Sequence, residues 1–81
     1  MATVTLVFLG KLADLAGVPE KTVAAPLDWA GLVSALPGPL GEVLQQDRTR
    51  VALNGELLAD KTALAALAGD EVALLPPVSG G

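Results

Sequence analysis

The residues of this chain that could do chemistry gather at its C-terminus, which reads Pro76-Pro77-Val78-Ser79-Gly80-Gly81. Val78, Ser79 and two glycines cannot pack a core and are free to leave a protein surface. At up to about 3.6 Å per residue, a five-residue tail over 77–81 reaches roughly 17 Å, deep enough to enter another protein's active site. Ser79 offers a hydroxyl, but the chain has no histidine to serve as its base and no cysteine to serve as an alternative nucleophile. Without either residue type, most hydrolase and metalloenzyme mechanisms and any disulfide framework are excluded. Asp70 and Glu71 are neighbours on a predicted strand and so face opposite ways. They read as a turn residue and an edge charge rather than an acid pair.

The tail needs a base to project from, and the sequence predicts one. Glu71 to Leu75 alternates and is rich in Val and Leu, so it reads as a strand that Pro76 and Pro77 stop, since neither can donate to a ladder. Thr3 to Leu9 is a second strand, with Val4, Leu6 and Phe8 on one face and Thr3, Thr5, Val7 and Leu9 on the other. Its second half is apolar on both faces, as in a central strand or one that meets a partner. Lys11 to Ala16 has helical spacing and ends at Gly17, a suitable C-terminal cap. Glu20 to Ala25, between Pro19 and Pro26, is a short strand near an edge.

Asp28 precedes Trp29, Leu32, Val33 and Leu36, an N-cap followed by the apolar stripe of a helix lying on a sheet. Pro37-Gly38-Pro39 ends that main helix, and Leu40 to Gln46 reads as one more turn. Asn54-Gly55 between Arg50-Val51-Ala52-Leu53 and Glu56-Leu57-Leu58 is the preferred sequence of a type I′ hairpin. Thr62 to Leu67 reads as a turn of helix. Strands outnumber helices without regular alternation, which argues an α+β fold with a helix on one face of a mixed sheet.

Composition sets the outer bounds. A chain of 81 residues, 52% apolar, forms one domain with a single modest core. No apolar run approaches the roughly 18 residues of a membrane span, and the N-terminus lacks the pattern of a signal peptide. A soluble cytoplasmic protein without membrane partners is expected. Nine acidic against five basic residues give a net charge of −4 with no basic stripe, which disfavours nucleic acid as a partner. Trp29 reads as packing, and Lys11, Arg48, Arg50 and Lys61 as solvated charges.

With strand order and tail both in view, the chain resembles the family of small, sulfur-carrying subunits of molybdopterin synthase, which are ubiquitin-like β-grasp proteins. The residues that carry the resemblance are Val7 to Gly17, Val51 to Glu56, and above all Gly69-Asp70-Glu71-Val72-Ala73-Leu74-Leu75 running into Pro-Pro-Val-Ser-Gly-Gly. Leu74 and Leu75 stand where that family often has aromatics. The resemblance implies a mixed sheet of four to five strands with one main helix packed on one face, a β-grasp domain over residues 1–76 and a flexible tail over 77–81.

It also implies a carrier cycle. A ubiquitin-activating-like adenylyltransferase uses ATP to adenylate the Gly81 carboxylate, a sulfur donor displaces AMP to leave a thiocarboxylate, and the tail enters the large subunit of molybdopterin synthase. There it donates sulfur to cyclic pyranopterin monophosphate to form the molybdopterin dithiolene. The chain itself would bind no cofactor or metal, and its standing as an enzyme is open, since it would be the non-catalytic sulfur-donor subunit of a sulfurtransferase complex. Gly80, Ser79, Val78, Pro77, Pro76, Leu75, Leu74, Leu9 and Val7 would contact partners, the last four through outward apolar side chains on neighbouring first and last strands. Three alternatives stay open: a β-grasp sulfur carrier for thiazole or cysteine biosynthesis, a ubiquitin-like modifier joined to lysines of other proteins, and a β-grasp interaction module with no terminal chemistry.

Overall fold

Alternating Val4, Leu6 and Phe8 direct three side chains, each at most 3% exposed, to one side of β1 (Thr3–Phe8). In the computed structural model, which describes residues 2–76, that strand is the first element of the chain. After it come α1 (Lys11–Ala16) and β2 (Glu20–Ala24). The short β3 (Leu27–Asp28) leads into α2 (Trp29–Ala35), and α3 (Pro39–Leu44) follows. The hairpin β4 (Arg50–Leu53) and β5 (Glu56–Leu57), a 3₁₀ turn at Lys61–Ala63, β6 (Ala65–Ala66) and β7 (Glu71–Leu75) complete the chain.

Five strands form one mixed sheet in the order β2-β1-β7-β4-β5. β1 and β7 run parallel in its centre, β2 and β4 pair antiparallel outside them, and β5 closes the far edge. This is the β-grasp arrangement: the first and last strands are neighbours, and the chain between them supplies both flanks and the helical layer. One sheet face packs on that layer. Leu6, Val4, Val51, Val72 and Leu74 from the strands meet Leu12, Leu32 and Leu44 from the three helices, all at most 1% exposed. At about 1.5–3 kcal/mol per buried Leu or Val, this cluster is the main source of stability.

Local signals act as predicted at several points. Gly17 caps α1 at φ 77°, and the Asp28 side chain accepts from the Gly31 N–H at 2.8 Å at the start of α2. Asn54 and Gly55 both take positive φ, 50° and 84°, as a type I′ turn requires.

The main helix ends at Leu36-Pro37-Gly38 as expected, and the further turn is α3, which buries Leu40, Gly41 and Leu44 beside α2. Three expectations are corrected. The helical turn over Thr62 to Leu67 is a 3₁₀ turn followed by β6, which pairs with β3. Leu64 and Ala66, 3% and 0% exposed, alternate inward with period two, and that period selects a strand. Lys61 is not a solvated charge: its ammonium donates to the carbonyls of Leu44 at 2.8 Å, Thr49 at 3.0 Å, and Gln46. Glu71 is exposed, but it opens the central strand rather than lying on an edge.

Candidate functional site

The start of β7 is pinned and its end is left open. The Asp70 carboxylate accepts from the Leu67 N–H at 2.8 Å and from the Asn54 amide at 3.1 Å. Asn54 in turn accepts from the Glu71 N–H at 2.9 Å, and its own N–H donates to the Glu71 carbonyl at 2.8 Å. These bonds hold the Asp70 carboxyl below the usual carboxylate range, the Leu67 N–H being the larger cause and Asn54 the smaller. The hairpin turn thus clamps the strand before it enters the sheet.

At the far end the ladder runs out. Leu9 N–H donates to the Leu74 carbonyl at 3.1 Å, one step beyond the Phe8–Leu74 pairing. Leu75 lies opposite Arg50 of β4. Pro76 then follows with no N–H to give. Because β1 and β7 are parallel and β4 antiparallel to both, Leu9, Leu75 and the exposed Arg50 come together at this one end of the sheet. The Pro76 ring sits over Gly10, so close that a Cβ on Gly10 would stand 3.2 Å from Pro76 Cγ.

Of the residues singled out from sequence, Pro77, Val78, Ser79, Gly80 and Gly81 lie outside the described residues. Pro76 marks the exit, with Leu75 and Val7 half-buried and Leu9 41% exposed on the sheet face away from the helices. Leu74 departs from expectation. It is fully buried, paired with Phe8 and Val51, because its parity along β7 matches Val72 rather than Leu75. Its side chain belongs to the core and is not part of an outward patch.

The register supplies outward residues that sequence reasoning missed. Val7 pairs with Ala73, Ala73 with Ala52, and Ala52 with Leu57, an apolar row across the open face that ends in a leucine 60% exposed. The two-residue alternation of each strand carried this signal, but the pairing that lines the strands up did not follow from it.

A cleft of about 240 Å³ that shares Arg50 with the Pro76 end of the sheet carries mixed charge, including Asp47, Arg50, Asp60 and Lys61. Two of these groups are engaged inside the fold, Lys61 by backbone carbonyls and Asp60 by the Thr62 N–H and hydroxyl at 2.9 and 2.6 Å. Among the described residues no cluster of acidic side chains could hold a metal ion, and no helix is long and apolar enough to cross a membrane.

Comparison with known proteins gives this geometry a context. The model of the ThiS family matches residues 6–81. The human molybdopterin synthase sulfur carrier subunit is 30% identical over 87 residues, spanning 100% of this chain and 97% of that protein. The crystal structure of SAMP1 from Haloferax volcanii superposes with a TM-score of 0.69 at 31% identity, covering 98% of this chain and 99% of the other. A protein–protein complex of subunits 1 and 2 of molybdopterin-converting factor from Helicobacter pylori contains a chain that superposes with a TM-score of 0.66 at 26% identity, with 98% and 99% covered.

Proposed function

The chain belongs to the ThiS family, and from that membership we propose that it is the sulfur-carrier subunit of a molybdopterin synthase. The observation that carries the reading is the identity with the human sulfur carrier subunit across the full length of this chain, tail included.

A carboxylate is a poor electrophile. Adenylation of Gly81 by a ubiquitin-activating-like enzyme with ATP supplies the leaving group, and a sulfur donor then displaces AMP to give the thiocarboxylate. Gly80 and Gly81 lack a Cβ, so they thread a narrow channel and leave the acyl carbon open to attack. Pro76 and Pro77 stiffen the root and reduce the entropy lost on docking. The large subunit receives the tail, and sulfur passes to cyclic pyranopterin monophosphate. The pairing of subunits 1 and 2 in the Helicobacter pylori complex supports that assembly. Val7, Leu9 and Leu75, with Ala73 and Leu57, form the docking face. Acid, base and phosphate-binding groups come from the partners, and the cycle runs in the cytoplasm.

Intact-protein mass spectrometry tests the chemistry. Incubation with ATP, the adenylating enzyme and a sulfur source is expected to give a mass gain equal to replacing one oxygen by sulfur, absent when Gly81 is deleted. No gain, with the enzyme active on another carrier, removes the reading.

A second reading is favoured by one specific resemblance. SAMP1, named a small archaeal modifier protein, is 31% identical over nearly the whole chain. A modifier role predicts conjugates to lysines that survive thiol reductant, whereas a carrier releases its thiocarboxylate.

A further inference from the structure

The cross-strand register divides the strand side chains between the two faces of the sheet, and it fixes where the charges of the open face lie. Glu20, Val7, Ala73, Ala52 and Leu57 share one row, with Glu20 at its β2 edge. Thr22, Thr5 and Glu71 form the next row toward the start of β7. Leu75 and Arg50 form the row at its end. Among the paired strand residues of this face Arg50 is the one cation, and the carboxylates stand away from it. Glu71 lies about 13 Å along β7 from Leu75, and Glu20 sits on the opposite edge strand.

Arg50 is exposed, and its guanidinium takes no part in the side-chain hydrogen bonds among the described residues. Of the two acids in the cleft behind it, Asp60 is engaged by Thr62, and Asp47 shares the cleft with a second cation, Lys61. Lys61 is held below the usual lysine range first by burial; Asp47 works against that shift and Arg50 adds to it by repulsion. Arg50 therefore meets a like charge of its own chain on one side and the apolar Leu75 on the other.

We propose that Arg50 is a specificity residue of the docking face, and that the protein seated on this face presents a carboxylate opposite it. The inference rests on the sulfur-carrier reading, in which the large subunit is that protein, and adds the charge its contact surface carries. Docking takes Leu75 and its apolar neighbours out of water, and a guanidinium in the same row loses hydration with them. Burying a charge without a partner is costly, whereas a carboxylate placed opposite offers two parallel N–H···O bonds in the fork geometry that arginine favours. A surface that is apolar or basic at this point is rejected, so one residue both admits the right partner and excludes others. Its place at the end of β7 also orients that partner, because the apolar row alone does not distinguish the end at which Pro76 leaves the sheet from the end at which Glu71 enters it.

Titration calorimetry with the large subunit compares the wild-type chain with Arg50→Gln, Arg50→Glu and Lys21→Gln at about 0.1 M and about 1 M salt, where charges are screened over about 10 Å and about 3 Å. Lys21 pairs with the buried Leu6 and so lies on the helix side of the sheet, and its replacement removes the same charge away from the docking face. At the lower salt Arg50→Gln is expected to weaken binding about tenfold and Arg50→Glu about 100-fold, while Lys21→Gln stays within about twofold. Both Arg50 losses are expected to shrink at the higher salt, since the pair borders an open cleft. Melting temperatures are expected to stay within about 4 °C of wild type, as exposed positions cost little. Wild-type affinity for Arg50→Gln overturns the proposal, and so does a loss that salt leaves unchanged or that Lys21→Gln reproduces. A wild-type chain that does not bind the large subunit counts against the sulfur-carrier reading itself, and the proposal falls with it.

Discussion

The ammonium of Lys61 stands 5.7 Å from the centroid of the Trp29 ring while it donates to carbonyls of the α3 C-terminus and the loop after it. One side chain from the 3₁₀ turn thereby ties α2, α3 and the approach to β4 together. The last carbonyls of a helix lack intrahelical donors, and a cation there also meets the negative end of the helix dipole.

Replacing Lys61 by Met keeps the aliphatic stem and removes the donors. Leaving such carbonyls unpaired typically costs about 1–3 kcal/mol. A fall in melting temperature of about 4–8 °C per kcal/mol is expected for a domain of this size. Calorimetry checks it, and a melting temperature unchanged from wild type would reduce the Lys61 bonds to surface decoration.

Gly41 gives a sharper case. A Cβ at this position would fall 2.1 Å from the Leu36 carbonyl oxygen, backbone that cannot move without opening the corner between α2 and α3. Gly41→Ala is expected to destabilise by about 3 kcal/mol, the upper end for overpacking. Against that, Ala in an ordinary helix interior would gain up to about 1 kcal/mol over Gly. Denaturant unfolding decides the sign.

Gly41 also marks the limit of what the sequence made legible. Strand alternation in β1, the Asp28 cap, the Gly17 cap and the Asn54-Gly55 turn are local, and each was readable because a few adjacent residues determine it. The close approach of Gly41 to the Leu36 carbonyl, the buried Thr49 hydroxyl on the Val43 carbonyl and the Lys61 bonds join residues distant in the chain or through the backbone, so residue type did not reveal them. At the site, the apolar character of Val7, Leu9 and Leu75 was visible. The inward turn of Leu74 was not, because two adjacent leucines hide strand parity until the ladder fixes it.

Acid should loosen the strand that carries the tail. Asp70 and Asp60 are both held below the ordinary carboxylate range, Asp70 first by the Leu67 N–H and Asp60 first by the Thr62 hydroxyl. A depressed folded pKa means that the unfolded chain takes up protons first. The stability these groups contribute is therefore present above their unfolded value of about 4 and is lost as pH falls through the lower folded value. Melting temperature is expected to drop as pH falls below about 4, with a shallower drop for Asp70→Asn. Identical acid limbs for the two proteins would contradict the clamp at the start of β7.

The open face of the sheet should tolerate charge in the free chain and fail to tolerate it in the complex. Leu57 and Leu9 are 60% and 41% exposed, so Leu57→Arg and Leu9→Arg remove little buried area and are expected to shift stability by no more than about 0.5 kcal/mol. Against an apolar partner surface, the same arginine must be desolvated without a counter-charge, and a loss of about tenfold in affinity corresponds to about 1.4 kcal/mol. Titration calorimetry with the large subunit is expected to show at least that loss for Leu9→Arg, which lies beside the tail exit, and a smaller one for Leu57→Arg at the far edge. Equal, wild-type affinities for both variants would move the docking surface off this face and leave the tail as the main contact.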